Sequence, residues 1–287
     1  MQQTTKIRLK FWLIGTIGVI LLAYLGVCTA FYFYQDRLIF RPAQISTLDL
    51  AARAESAGFE AWIDEKGEQV GWKSKDGSLE DALLVFGGNG GFGLRGSYYR
   101  ERAELASGNW KVYLLEYTGY GNRPGKPSEA SLTKAAIEAV DVLNATKSRI
   151  WLMGLSLGSG VACSTIRERA DLLHGLILVT PFNSLVATAS YHYPWLIVTP
   201  LMRARFDSEK NLANYRGPVA FLISEKDTTT PWFLGKKLFD GFSGKKQMWT
   251  DPDGNHDVSK LETIEWVNIV EWLQAKSLLH PIEAPVN

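Results

Sequence analysis

The stretch Ile150-Trp151-Leu152-Met153-Gly154-Leu155-Ser156-Leu157-Gly158-Ser159-Gly160 decides how the rest of the chain is read. A short apolar run ends on a glycine, and a serine stands two positions later. The run reads as a buried strand and Leu157 to Arg169 as a helix. The pattern G-x-S-x-G at a strand-to-helix turn has a mechanical reason. A serine hydroxyl is a weak nucleophile and must be exposed, oriented and paired with a base. A sharp turn exposes it, and flanking glycines let backbone approach without Cβ clashes. The same pattern also arises in glycine-rich helix starts that only pack closely, so its place in the chain matters.

Outward from that turn, strands and helices alternate. Upstream, Phe59 to Asp64 and Gln69 to Ser74 read as strands joined by the hairpin-like turn Glu65-Lys66-Gly67-Glu68. Ala82 to Phe86 and Trp110 to Glu116 are further strands, and Ser128 opens a helix with Leu132, Ala135, Ala136, Ala139, Val140 and Leu143 at helical spacing. Downstream, Leu176 to Val179, Val219 to Ile223 and Met248 to Thr250 read as strands, Pro231 to Phe239 and Leu261 to Leu273 as helices. Such alternation predicts an α/β fold with a mostly parallel sheet covered on both faces. Asn183 to Tyr215 breaks the rhythm and reads as a small cap-like insertion. The expected organisation is an anchor over 1–35, a connector over 36–58, a catalytic domain over 59–280 and a tail over 281–287.

A serine nucleophile needs a histidine, and there are four. His174 precedes a strand on the far edge of the sheet, His192 sits among aromatics in the insertion, and His280 lies in the tail. His256 follows a late strand in Asp251-Pro252-Asp253-Gly254-Asn255-His256. In a parallel sheet, loops after strands gather at one edge, which is where Ser156 stands. For the carboxylate that orients the imidazole, Asp227 in the loop after Val219 to Ile223 is favoured. Glu225 is the nearest competitor, and Asp257 is too close in sequence to bond the ring. Two backbone N–H groups must face the developing oxyanion. Leu157 supplies one, and Asn89 in Gly87-Gly88-Asn89-Gly90-Gly91 is the candidate for the other.

Phe11 to Tyr34 holds 24 residues without a formal charge. As a helix it reaches ~36 Å, enough for a hydrocarbon core of ~30 Å. A cleaved leader is the competing reading, with Lys6, Arg8 and Lys10 in front and Cys28-Thr29-Ala30 as a cutting site. The length of the run and the interfacial aromatics Phe31 to Tyr34 favour an uncleaved, single-pass anchor. The basic flank keeps the N-terminus cytoplasmic and exports the rest, to the periplasmic face if the cell is bacterial. A boundary at residue 35 implies that the anchor can be cut away without touching the site.

From about Arg41 to Leu273, the chain resembles the membrane-anchored, bud-emergence-related branch of the α/β-hydrolase superfamily. The matching segments are Phe86 to Gly91, Tyr117-Thr118-Gly119-Tyr120-Gly121, Gly125-Lys126-Pro127-Ser128-Glu129, Gly154 to Gly158, Asp227 with Pro231, and Pro252 to His256. The order Ser156, Asp227, His256 is that of α/β-hydrolases. The resemblance implies an α/β-hydrolase fold and a serine hydrolase of carboxylesterase or acyl-thioesterase type. Gly87 stands where relatives usually carry His, and Thr118 where they usually carry Arg.

Composition excludes several other classes. The 31 basic and 30 acidic residues nearly cancel, so no basic face for nucleic acid is indicated. No metal-ligand spacing occurs, and the glycine loop lacks the Lys-Ser/Thr ending of a phosphate loop, so neither metal nor cofactor is expected. Cys28 and Cys163 are not placed to pair. The expected partners are the membrane and a small or lipid-like acyl ester or thioester. Leu185 to Met202 is dense in apolar residues, which suits a wall over an acyl chain, with Trp195 the candidate contact; shielding of the sheet edge explains the same density. A catalytically inactive scaffold, or a peptidase or lactonase using the same triad, is the alternative.

Overall fold

The structure is a computed structural model that describes residues 2–99, 110–146, 148–256 and 263–277. Helix α1 (Gln2–Ile39) leads into strand β1 (Arg41–Pro42) and helix α2 (Thr47–Ser56). Strands β2 (Phe59–Ile63) and β3 (Gln69–Ser74) form the expected hairpin, followed by β4 (Ser78–Phe86), β5 (Gly90–Gly91) and β6 (Trp110–Leu115). Helix α3 (Glu129–Ala145), β7 (Arg149–Leu155), α4 (Leu157–Arg169) and β8 (Leu173–Val179) make the centre. The insertion folds as three short helices, α5 (Leu185–His192), α6 (Val198–Leu201) and α7 (Ser208–Leu212). Strand β9 (Val219–Ser224), α8 (Trp232–Gly241), β10 (Lys246–Asp251) and α9 (Thr263–Ser277) complete the described chain. The helix expected over Leu261 to Leu273 is described over Thr263–Ser277; Leu261, Asp257 and His280 lie outside the described residues.

Eight strands form one sheet in the order β10-β9-β8-β7-β4-β6-β3-β2, parallel except where β3 runs against its neighbours. Its strands are buried on both faces, so successive residues alternate between two cores. Ala82, Leu84 and Phe86 face α3 and α4, whereas Leu83 and Val85 face the side covered by α2 and α9. The chain leaves β4 toward β6 and leaves β7 toward β8, on opposite sides. The crevice between the carboxyl ends of β4 and β7 is therefore the topological switch point, where open α/β sheets bind ligands.

The periodicity missed β1 and β5, a two-residue parallel pairing of Arg41 with Gly90 and Pro42 with Gly91. Such a short pairing leaves no hydrophobic pattern. The first helix also continues past residue 35 to Ile39, because Gln35 finds buried hydrogen-bond partners in the insertion. Both cysteines are free and buried.

Candidate active site

Ser156 sits between β7 and α4 with φ 51° and ψ −117°, a strained conformation for a residue with a Cβ. Its neighbours show why the turn needs glycine. A Cβ on Gly154 would lie 2.4 Å from Gly158 O, and one on Gly158 only 2.1 Å from Phe86 O. The turn is thereby pressed against the end of β4. Gly88 lies beside the serine, its virtual Cβ 3.8 Å from Ser156 Cβ. Leu157 opens α4, so its N–H has no acceptor within the helix.

The Gly87–Gly91 loop is fixed through its carbonyls. Tyr117 donates to Gly87 O (2.9 Å), Tyr120 to Asn89 O (2.8 Å), and Arg41 N to Asn89 O (2.8 Å). Burial pushes both phenols above their ordinary pKa, which keeps them protonated donors. These roles for Tyr117, Tyr120 and β1 escaped sequence reasoning; the Tyr-x-x-Tyr spacing was the available signal. Of the two unusual positions, Gly87 gives its carbonyl to Tyr117, and Thr118 packs against Gly125.

Asp227 and His256 come together. The His256 Nδ1–H donates to Asp227 Oδ2 at 2.7 Å, and Asp227 Oδ1 accepts from Thr229 N and Thr230 N, both at 2.8 Å. The Asp227 side chain is 1% exposed. A carboxylate so buried is tolerable because it is paired and hydrogen-bonded. The loops that carry the pair are joined to each other: Glu225 N donates to Asp251 O, Lys226 N to Gly254 O, and Lys226 forms an ion pair with Asp253. Glu225 itself is exposed. Among the described residues no hydrogen bond leaves Ser156 Oγ, so the serine–histidine contact is open here. Unliganded sites often show such contacts long or absent.

A cavity of about 190 Å³ lies over Ser156, Leu157 and Asn89. Leu185, Thr188, Ala189 and Met202 of the cap close it from above. A further wall is α1, through Phe31, Gln35, Leu38 and Ile39, with Phe182, Thr229 and Thr230 also in the lining. This departs from the expectation of a detachable anchor: a cut at residue 35 removes two of those residues and opens the cap's own core. Gln35 is fully buried, donating to Leu201 O (3.0 Å) and accepting from Arg203 N (2.7 Å). Trp195 is not in the cavity lining; it is 60% exposed at the outer tip of the cap. His192 has more than a packing part, lining the cavity and donating from Nε2 to Thr229 O at 2.9 Å. His174 stands at the start of β8, its ring 6.0 Å from that of Trp151. Glu129, in the first turn of α3, accepts from Arg205 N (2.6 Å) and Phe206 N (2.9 Å), which ties the returning cap to that helix.

Comparison with known proteins agrees with this architecture. An uncharacterized protein of Mycobacterium tuberculosis (strain CDC 1551 / Oshkosh) is 29% identical over 257 residues, covering 85% of this chain and 88% of its own. The lysophosphatidylserine lipases of Xenopus tropicalis and Danio rerio are 28% and 30% identical over 62% of this chain. The matched part spans about half the length of those lipases. Among solved structures, a Pyrococcus furiosus esterase superposes with a TM-score of 0.59 at 14% identity, covering 83% of this chain and 97% of its own. A Paleococcus ferrophilus monoacylglycerol lipase gives 0.54 at 21% identity, covering 71% and 98%. None of these speaks for the bud-emergence-related branch in particular. A profile of the Alpha/beta hydrolase family matches residues 84–272, more than half of the chain and all of the candidate site except its α1 wall, so the chain belongs to the alpha/beta hydrolase family.

Proposed function

We propose that this protein is a membrane-anchored serine hydrolase that cleaves carboxylic ester or thioester bonds through an acyl-enzyme on Ser156. The observation that carries the reading is the Asp227–His256 pair at 2.7 Å on the same sheet edge as a strained, accessible Ser156. Asp227 fixes the tautomer that leaves His256 Nε2 free to act as base. Ser156 Oγ attacks the acyl carbon while Nε2 takes its proton, and the N–H groups of Leu157 and Asn89 hold the oxyanion. The proton passes from Nε2 to the departing alcohol or thiol. Water then attacks the acyl-enzyme with His256 again as base, releasing the acid and restoring the serine.

The cavity supports an acyl substrate. Its surface is mostly apolar, and its volume is below the roughly 300–1,000 Å³ of pockets for drug-sized ligands, which suits one chain rather than a whole lipid. Helix α1 has an apolar stretch over Lys10–Ile39 that is long enough to cross a membrane. In this reading it is an uncleaved anchor with its N-terminus cytoplasmic and the catalytic domain on the outer side. The bud-emergence-related branch rests on the motif order alone.

A fluorophosphonate probe on the detergent-solubilised full chain tests the chemistry. Labelling of the wild type that disappears in Ser156→Ala is expected. Absence of labelling in a folded wild type would leave an inactive scaffold as the better reading.

A further inference from the structure

The anchor and the cap are held in register, and that register sets the depth of the cap. Contact begins at Tyr24, whose hydroxyl donates to Trp195 O (3.2 Å) and accepts from Ile197 N (3.0 Å). Further along α1, Cys28 is buried against Val186, Leu196, Val198 and Met202. The contact closes at Gln35 and at the ion pair of Asp36 with Arg203 (2.5 Å).

Lys10 is the last charge before the apolar run. A hydrocarbon core of ~30 Å takes about 20 residues at ~1.5 Å each, so a span that starts at Phe11 ends near Ala30. Phe11 to Tyr24 supplies only 14 residues. That is about 21 Å, too short to cross. Tyr24 therefore sits about 9 Å inside the level where the span ends. Tilting the helix requires more residues to cross and carries Tyr24 deeper.

The cap is built for that depth. No Asp, Glu, Lys or Arg occurs from Leu172 to Met202. Tyr191, Tyr193, Trp195 and Ile197 are 40–60% exposed at the tip. Tyr191 meets Phe233 with ring centroids 5.4 Å apart, which extends the patch to the exposed Trp232 and Phe233 at the start of α8. Tyr and Trp are the residues enriched at membrane–water interfaces. Charge returns only with the Asp36–Arg203 pair, beyond the end of the span.

We propose that the cap tip is immersed in the lipid–water interface, so that the slot over Ser156 opens against the bilayer and takes its acyl chain from there. The inference rests on α1 being a membrane span and adds the depth of the domain.

The test uses the full chain in phosphatidylcholine nanodiscs, with one environment-sensitive thiol dye per variant. Native thiols do not compete, since Cys28 and Cys163 are buried and burial pushes the Cys163 thiol up to about 12. A dye at Ile197→Cys should be quenched at least threefold by lipids carrying a nitroxide near the top of the acyl chain, and little by aqueous iodide. A dye at Leu79→Cys, at the start of β4, should show the reverse. If position 197 behaves like 79 while Ile14→Cys is quenched by the lipid, the anchor holds and immersion is overturned. If neither 14 nor 197 responds, both readings fall. Independently, Ile197→Asp should lower kcat/KM at least fivefold for a long-chain ester presented in vesicles while leaving a water-soluble short ester unchanged. Equal losses on both would also overturn the proposal.

Discussion

The two walls of the cavity over Ser156 are made of different material. The sheet-side wall is backbone: Gly154 packs against Gly158, Gly158 against the end of β4, and four donors (Tyr117, Tyr120, Arg41 N and Ala43 N) grip the Gly87–Gly91 loop. The cap-side wall is side chain: Leu185 and Met202 of the cap and Phe31 and Leu38 of α1 line it together, across a junction held by Gln35 and Tyr24. Backbone packed at van der Waals distance cannot yield without unfolding a strand, whereas side chains between short helices can repack. The sheet side therefore suits reaction geometry, where an ångström of misplacement is costly. The cap side suits discrimination among acyl chains. Substitutions on the first should strike all substrates alike, and those on the second should strike by chain length.

The largest effects belong to the sheet-side edge. Ser156→Ala or His256→Ala should lower kcat for any ester by about 10⁴–10⁶, because such groups act as a unit. Asp227→Asn should cost about 10⁴ in kcat with the fold intact, since the amide favours the wrong tautomer. Steady-state kinetics with a matched denaturation curve checks both; wild-type kcat in Asp227→Asn would move the acid's role elsewhere. Gly158→Ala places a Cβ 2.1 Å from Phe86 O and should destabilise by about 1–3 kcal/mol, read as an earlier unfolding midpoint, with activity falling on every substrate. An unchanged midpoint would show that the elbow can relax, and would blur the contrast between the walls.

The sheet side was also the legible side. Short, continuous apolar runs, such as Leu83 to Phe86 and Leu176 to Val179, whose residues bury on both faces, carry strong local signals, as do turn glycines. Asp227 and His256 could be nominated because parallel strands send their loops to one edge. The cap side was opaque for a physical reason. Gln35 on α1 and Arg203 in the cap are 168 positions apart, and nothing local in either marks their hydrogen bond. An apolar helix that crosses a bilayer and one that also walls a cavity have the same composition. Trp195 was nominated for its apolar bulk, but bulk does not say which face of the cap it occupies.

A smaller effect probes the second layer of the backbone wall. Tyr120→Phe removes one donor from Asn89 O while Arg41 N still holds it. A net hydrogen bond is worth about 0.5–1.5 kcal/mol, so kcat should fall about three- to tenfold for short and long esters alike. A loss confined to long chains would assign the Gly87–Gly91 loop to substrate selection and erase the division between the walls.

The finest test lies at the junction itself. Gln35 is buried, and its amide satisfies Leu201 O and Arg203 N, two part-buried backbone groups of the cap. Gln35→Ala leaves both unpaired, a cost of about 1–3 kcal/mol that the short cap helices can partly relieve by shifting away from α1. That shift widens the slot between the lining residues Phe31 and Leu38 of α1 and Met202 of the cap, at the cap-side wall. Methylenes of a long chain would then lose packing, each worth up to ~0.8 kcal/mol when fully buried, whereas an acetyl group would have little to lose. The expected outcome is a two- to fivefold drop in kcat/KM, about 0.4–1 kcal/mol, for the longest chain that fits, shrinking as the chain shortens. Gln35→Glu keeps an acceptor for Arg203 N but loses the donor to Leu201 O, so its profile should fall between wild type and the alanine variant. A uniform loss across chain lengths would instead mean that α1 holds the serine side in place, and the two walls would have to be treated as one.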